Sequence, residues 1–172
     1  FLLGATAGRT TLNGEGLQHE DGHSQLMAAM IPNCVSYDPT FSYELAVIMQ
    51  DGLKRMIENQ EDVFYYITLM NENYSHPEMP KGSEADIIKG MYQFSTSKAK
   101  GEKVQLMGSG VILREVIEAQ KILEKDFGVS ADVWSVTSFN ELRKDALEAD
   151  RWNRMNPDKP QKESHVQKLL KK

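Results

Sequence analysis

Between Lys103 and Trp152 the chain alternates strand-length and helix-length patterns with almost no residues to spare between them. Lys103–Met107 reads as a strand and Gly108-Ser109-Gly110 as a tight turn. Val111–Lys125 follows, with Ile112, Val116, Ala119, Ile122 and Leu123 at helical spacing. Gly128 stands where a left-handed residue closes a helix. Ala131–Val136 is a second strand and Asn140–Trp152 a second helix. Strand, helix and strand joined by short links return parallel through a right-handed crossover. The pattern predicts an α/β chain whose sheet is mainly parallel and flanked by helices.

The first half alternates less clearly. Pro32 and Pro39 bracket a short buried strand at 33–38. Residues 42–59 predict a helix, with Tyr43, Ala46, Val47, Met49, Leu53 and Met56 on one face. Ser42 is the expected N-cap, and Glu44 then stands one position too early for a capping box. Residues 63–69 are apolar on both faces, as in a strand inside a covered sheet. Pro77, Pro80 and Gly82-Ser83 mark a boundary, with a short helix around 85–89 and a polar, turn-rich stretch at 95–101.

The chain has 172 residues, 40% hydrophobic and 26% charged, which excludes collagenous, disordered and disulfide-stapled classes. Its one cysteine, Cys34, cannot form an internal disulfide, fits a reducing compartment, and reads as packing. Met49, Met56, Met70 and Met91 are expected in the core or at an interface. No run of about 18 apolar residues offers a membrane span. A net charge of −5, with only Lys168, Lys171 and Lys172 as a basic end, argues against a nucleic-acid partner. The start at Phe1-Leu2-Leu3-Gly4 has neither an initiator Met nor a basic leader, and the expectation is a fragment of a longer protein.

Residues 1–33 are rich in glycine and hold a helical or strand period nowhere for long. Within them His19-Glu20-Asp21-Gly22-His23 matches H-E-x-x-H. That zinc pattern needs both histidines on one helical face, with the glutamate beside a metal-bound water. Gly14, Gly16 and Gly22 oppose a helix here, so a zinc hydrolase is the lesser alternative and a polar loop of other chemistry the better one. Gly108-Ser109-Gly110 lacks the third glycine of a dinucleotide fingerprint, since position 113 is Leu113, and reads as a plain turn. A further alternative is a non-catalytic dimerisation domain.

The run Gly8-Arg9-Thr10-Thr11-Leu12-Asn13-Gly14-Glu15-Gly16-Leu17-Gln18-His19-Glu20-Asp21-Gly22-His23-Ser24 is long and specific. It resembles the active-site segment of the bacterial homodimeric pyruvate dehydrogenases, the first component of the pyruvate dehydrogenase complex. The likeness continues through Ile31–Pro39, Tyr66-Ile67-Thr68, Asn71-Glu72-Asn73-Tyr74, Val104–Gly110 and Ser135–Phe139, and weakens after about Asn156. Gly16-Leu17-Gln18-His19 is more distantly similar to the G-P-T-H segment of transketolases.

The resemblance implies parts of two transketolase-like domains. Residues 1–80 would be the C-terminal part of a pyrimidine-binding domain and 81–172 the N-terminal part of the C-terminal domain. It implies thiamine diphosphate as cofactor, with Mg2+ held by a motif upstream of this chain. The implied reaction is oxidative decarboxylation of pyruvate, with acetyl transfer to lipoyl groups of the dihydrolipoyl acetyltransferase component. A bacterial, cytoplasmic homodimer is implied, and an isolated piece of this length is expected to be inactive. His19 matches the family's active-site histidine, suited to moving protons at the substrate oxygen. Glu15 matches an active-site acid four residues before it. Asp21 and His23 fall in the same segment and are expected to brace the loop behind them.

Overall fold

The computed structural model describes residues 21–70 and 72–171. A short helix, α1 (Ser24–Ala28), leads to strand β1 (Cys34–Tyr37), helix α2 (Ser42–Leu53) and strand β2 (Phe64–Ile67). Helix α3 (Glu84–Ile88) and strands β3 (Met91–Ser95) and β4 (Lys103–Gly108) follow. Helix α4 (Ile112–Phe127), strand β5 (Ser130–Val136), helix α5 (Phe139–Met155) and helix α6 (His165–Leu170) complete the chain.

β1 and β2 pair in parallel, Cys34 opposite Phe64 and Tyr37 opposite Ile67. The second sheet has the order β3-β5-β4, with β4 parallel and β3 antiparallel to β5. The crossover expected from the sequence is therefore present in β4-α4-β5. Gly128 closes α4 in the left-handed region at φ +63°.

Several expectations need correction. Residues 91–95 form a strand that the sequence reading passed over. Its ladder slips between Gln93 and Ser95, and this irregularity leaves Phe94 stacked on Phe41, ring centroids 5.3 Å apart. The helix expected to 59 is regular only to Leu53, and its last turn, Lys54–Glu58, widens into a π-helix. β2 is not covered on both faces: Phe64 is exposed, and β2 pairs only with β1 among the described residues. Met91 is fully buried in the core, one of the two places expected for it, while Met49 is exposed, which leaves the interface as the place expected for it. Residues 24–28 make a single short helix in the opening stretch, too brief to contradict the lack of a sustained period there.

The N-cap of α2 is Phe41 rather than Ser42, which places Glu44 at the third helical position after all. Its carboxylate accepts the N–H groups of Phe41 at 3.0 Å and Thr40 at 2.5 Å. The Ser42 N–H is taken instead by Nδ1 of His76, on the strap between β2 and α3. Tyr74 of the same strap lies under the Arg114 guanidinium of α4, 3.5 Å from it.

Val35, Tyr37, Ile48, Ile87 and Tyr92 form a core shared by both sheets. Every residue of β5 is buried. Met91, Trp134 and Val136 pack beneath Leu142 of α5 and Leu169 of α6. α6 is fixed by a capping box between Ser164 and Gln167 and by the His165 Nε2 contact to the Met91 carbonyl at 2.8 Å.

Candidate active site

The carboxyl ends of β1, β4 and β5 come together, the place where open α/β sheets bind ligands. A cleft of about 370 Å³ opens there, lined by Gln25, Asp38, Ser109, Ser138 and Asn140 and walled by Met107, Ile112 and Phe139. Asp38 is its hub. The Asp38 N–H donates to the Thr137 carbonyl at 2.8 Å, and the Asp38 carbonyl accepts from Gly110 N–H at 3.1 Å. The carboxylate accepts the Thr68 hydroxyl at 2.5 Å and the Ser109 hydroxyl at 3.1 Å. One acid at the end of β1 thus reaches the ends of three further strands, β2, β4 and β5. From the sequence it is only the last residue of the strand expected at 33–38. An aspartate directly after a buried strand and before Pro39 was the available signal.

The Gly108-Ser109-Gly110 turn is tight, as expected. Gly110 has φ +52°, and a Cβ there would meet the Asp38 carboxylate oxygens at 2.8 Å. That carboxylate sits against the turn leading into α4, where a phosphate would otherwise be cradled. Like-charge repulsion makes this a poor anion site.

Glu15 and His19, the two residues expected to act on substrate, lie outside the described residues, as does Glu20. Asp21 and His23 lie within them. Asp21 closes the turn ahead of α1, accepting the Ser24 N–H at 3.0 Å and the Ser24 hydroxyl. His23 is exposed, and its carbonyl accepts the N–H of Met27. The described part of the H-E-x-x-H motif is non-helical, because α1 begins only at Ser24. The shared helical face that zinc binding requires is therefore broken before His23. No group of three or more His, Cys, Asp or Glu side chains able to hold a metal stands together among the described residues.

Gln25 and Asn140 were not singled out from the sequence, and nothing in their local pattern marks them. Gln25 Nε2 donates to the Tyr37 carbonyl at 2.9 Å and to Thr68 Oγ1 at 3.3 Å. Asn140 Nδ2 donates to the Gln25 carbonyl at 2.8 Å and to Ser36 Oγ at 2.6 Å. Asn140 rides on α5, whose N-terminus is capped by Ser138 Oγ accepting the Glu141 N–H at 3.0 Å. The same Ser138 hydroxyl is 2.6 Å from the Ser36 carbonyl, its acceptor on β1.

Comparison with known proteins places this arrangement in a lineage. Residues 1–77 match the family described as Pyruvate dehydrogenase E1 component middle domain. Residues 90–172 match the Transketolase-like TK C-terminal domain. The chain is 63% identical over 171 residues to the Pyruvate dehydrogenase E1 component of Pseudomonas aeruginosa, covering 99% of this chain and 19% of that protein. The protein of the same name from Cupriavidus necator is 61% identical over 173 residues, again 99% of this chain and 19% of the relative. That of Escherichia coli K12 is 60% identical over 158 residues, 91% of this chain and 18% of the relative. The chain thus spans about a fifth of the length of these relatives. With both of its parts matched and an identity this high along nearly its whole length, the chain belongs to the pyruvate dehydrogenase E1 component family.

Proposed function

We propose that this chain is part of an enzyme that decarboxylates pyruvate with thiamine diphosphate and passes the acetyl group to lipoyl groups of an acetyltransferase component. The observation that carries this reading is the 63% identity to a Pyruvate dehydrogenase E1 component, which extends across 99% of the chain and so includes the 8–24 segment. The cofactor supplies an electron sink for the loss of carbon dioxide. Mg2+ belongs to the same proposal, with its ligands in a motif upstream of this chain.

Within the longer enzyme, His19 moves a proton to and from the oxygen on the former carbonyl carbon of pyruvate. An imidazole with an ordinary pKa near 6.5 can hold or release that proton at neutral pH. Glu15 orients the reacting molecule and the loop. Asp21 fixes the loop's exit through its contacts with Ser24, and His23 lies in the same exit. Residues 1–80 are assigned to the pyrimidine-binding domain and 81–172 to the C-terminal domain. The separate family matches over 1–77 and 90–172 support that division.

A homodimer in the bacterial cytoplasm completes the proposal. Leu26, Met27, Met30 and Ile31 support the dimer, since they form apolar surface left exposed among the described residues. No helix among the described residues is long and apolar enough to cross a membrane. The test is carbon dioxide release from pyruvate by the full-length enzyme loaded with thiamine diphosphate, coupled to reductive acetylation of a lipoyl domain. Both activities are expected. Their absence in the loaded, folded enzyme contradicts the reading.

A further inference from the structure

The last 22 residues carry seven lysines and arginines against two acids, a net charge of +5 in a chain whose total is −5. Two of those cations are neutralised within the chain: Arg154 pairs with Asp150 at 3.1 Å, and Lys171 pairs with Glu163. Arg151, Lys159 and Lys162 are exposed and pair with no carboxylate among the described residues. The two lysines are nevertheless held in place. Asn153 of α5 grips the Lys162 main chain twice, its Oδ1 accepting the Lys162 N–H at 2.7 Å and its Nδ2 donating to the Lys162 carbonyl at 2.9 Å. The Lys159 N–H donates to the Asn156 carbonyl at 3.1 Å, and Asn156 Nδ2 donates to the Trp152 carbonyl at 3.0 Å. Both ammonium groups are brought to one indole: Lys162 Nζ is 3.9 Å and Lys159 Nζ 5.2 Å from the centre of the Trp152 ring. Two like charges thus stand within about one Debye length of each other, roughly 10 Å at 0.1 M salt. The face of the ring offsets part of their repulsion. The C-terminal end of α5, equivalent to about half a charge, offsets a little more. Neither balances the cluster.

We propose that Trp152, Lys159 and Lys162, with Arg151 next to them on α5, form a docking surface for an acidic protein face, one that presents several Asp or Glu side chains together. Three observations choose that occupant. The indole already carries Lys162, so a nucleobase stacking there, as single-stranded nucleic acid requires, would have to displace it. The cluster is open to solvent and lines no part of the cleft at the strand ends, so one small anion would stay largely hydrated there. Asp158 and Glu163 are interleaved with the cations, and they repel a continuous phosphate track. Exposed charges of this kind speed association more than they tighten it, which suits a partner that comes and goes.

The test uses the full-length enzyme and a dye-labelled peptide of alternating Glu and Ser, read by fluorescence anisotropy. The peptide is expected to bind at about 20 mM salt and to weaken severalfold by about 0.15 M, where the Debye length has shrunk to about 8 Å. Lys159→Glu combined with Lys162→Glu is expected to weaken binding by about tenfold or more, because each reversal turns an attraction into a repulsion. Lys121→Glu, an exposed reversal on α4, is expected to stay within about twofold of wild type. If the reversed pair does not fold, Lys159→Met with Lys162→Met keeps apolar stems against the indole and is expected to weaken binding by about threefold or more. No binding by the wild-type enzyme at low salt overturns the proposal. A loss below about threefold in the lysine variants overturns it as well, as does an equal loss with Lys121→Glu. An oligonucleotide of equal charge that binds the same residues as tightly replaces the protein face with a nucleic acid and overturns it. Displacement of the peptide by inorganic phosphate at comparable concentration makes the cluster a small-anion site, which also overturns it.

Discussion

Glu44 is a fully buried carboxylate at the seam between the two sheets. Besides the Thr40 and Phe41 N–H groups, it accepts the Tyr92 hydroxyl at 2.7 Å and the Ser135 hydroxyl at 2.6 Å. Tyr43 is hydrogen-bonded to Tyr92 in turn, at 2.6 Å. Burial and the nearby Glu44 charge push the Tyr92 phenol well above its ordinary range. The two amide donors cannot reverse, but the two hydroxyls can rotate. Glu44→Gln can therefore keep its oxygen toward the amides and donate to the hydroxyls, at a cost of about 1 kcal/mol. Glu44→Ala strands the amides and opens a cavity, at about 3 kcal/mol or more. Urea unfolding of the two variants checks the order, and equal losses would contradict it. The sequence held half of this. A carboxylate near a helix start was visible, but a cap misplaced by one residue hid its role, and the Tyr92 and Ser135 partners lie 48 and 91 residues away. Cys34 was legible in full: burial is the main cause of its raised thiol pKa, only partly opposed by Lys144, and this suits a packing residue.

The β4-α4-β5 element was read correctly because its period, turn and terminal glycine all agree. Its tightest point is Gly110, with positive φ and an added Cβ 2.8 Å from the Asp38 oxygens. Gly110→Ala should lower stability by about 1–2 kcal/mol from backbone strain alone, measured as a lower midpoint in urea. An unchanged midpoint would mean the turn relaxes freely. Beside this element, Asp132 of β5 is ion-paired with Lys103 of β4 at 2.8 Å. Burial pushes its carboxyl up, but Lys103, the Ser97 N–H and Gln105 together hold it below the ordinary carboxylate range. A depressed native pKa contributes stability above the unfolded value of about 3.9 and loses it as pH falls through the native value. Lys103→Met should therefore move the acid-unfolding midpoint to higher pH, and no shift would remove the ion pair from the account. β3 and α6 were missed for physical reasons. β3 gains its ladder only from β5, some forty residues later. α6 is a six-residue helix held by Leu169 and a cap. The Ser164-x-x-Gln167 capping box was the sign that could have found it.

At the scale of the molecule, the two sheets are joined by polar stitches rather than by one continuous ladder. Ser36 to Ser138, Asp38 to Thr137 and Thr40 to Gly110 all cross between them. These contacts build the cleft, and no local sequence pattern could specify them. Family membership was legible because a long motif carries it. The cleft was not legible, because it depends on residues far apart in the chain. The apolar surface of Met27 and Met30, 58% and 72% exposed, belongs to this scale as well. Met27→Asp with Met30→Asp in the full-length enzyme should weaken self-association by tenfold or more, because a charge is costly to bury unpaired. Sedimentation equilibrium checks this, and an unchanged dimer would place the interface elsewhere. The central claim is that this chain brings the proton-moving histidine to pyruvate, and single-turnover decarboxylation by the loaded full-length His19→Ala enzyme tests it most directly. The account predicts a rate lower by about 10²–10⁴ with cofactor binding retained, and a rate within twofold of wild type would contradict it.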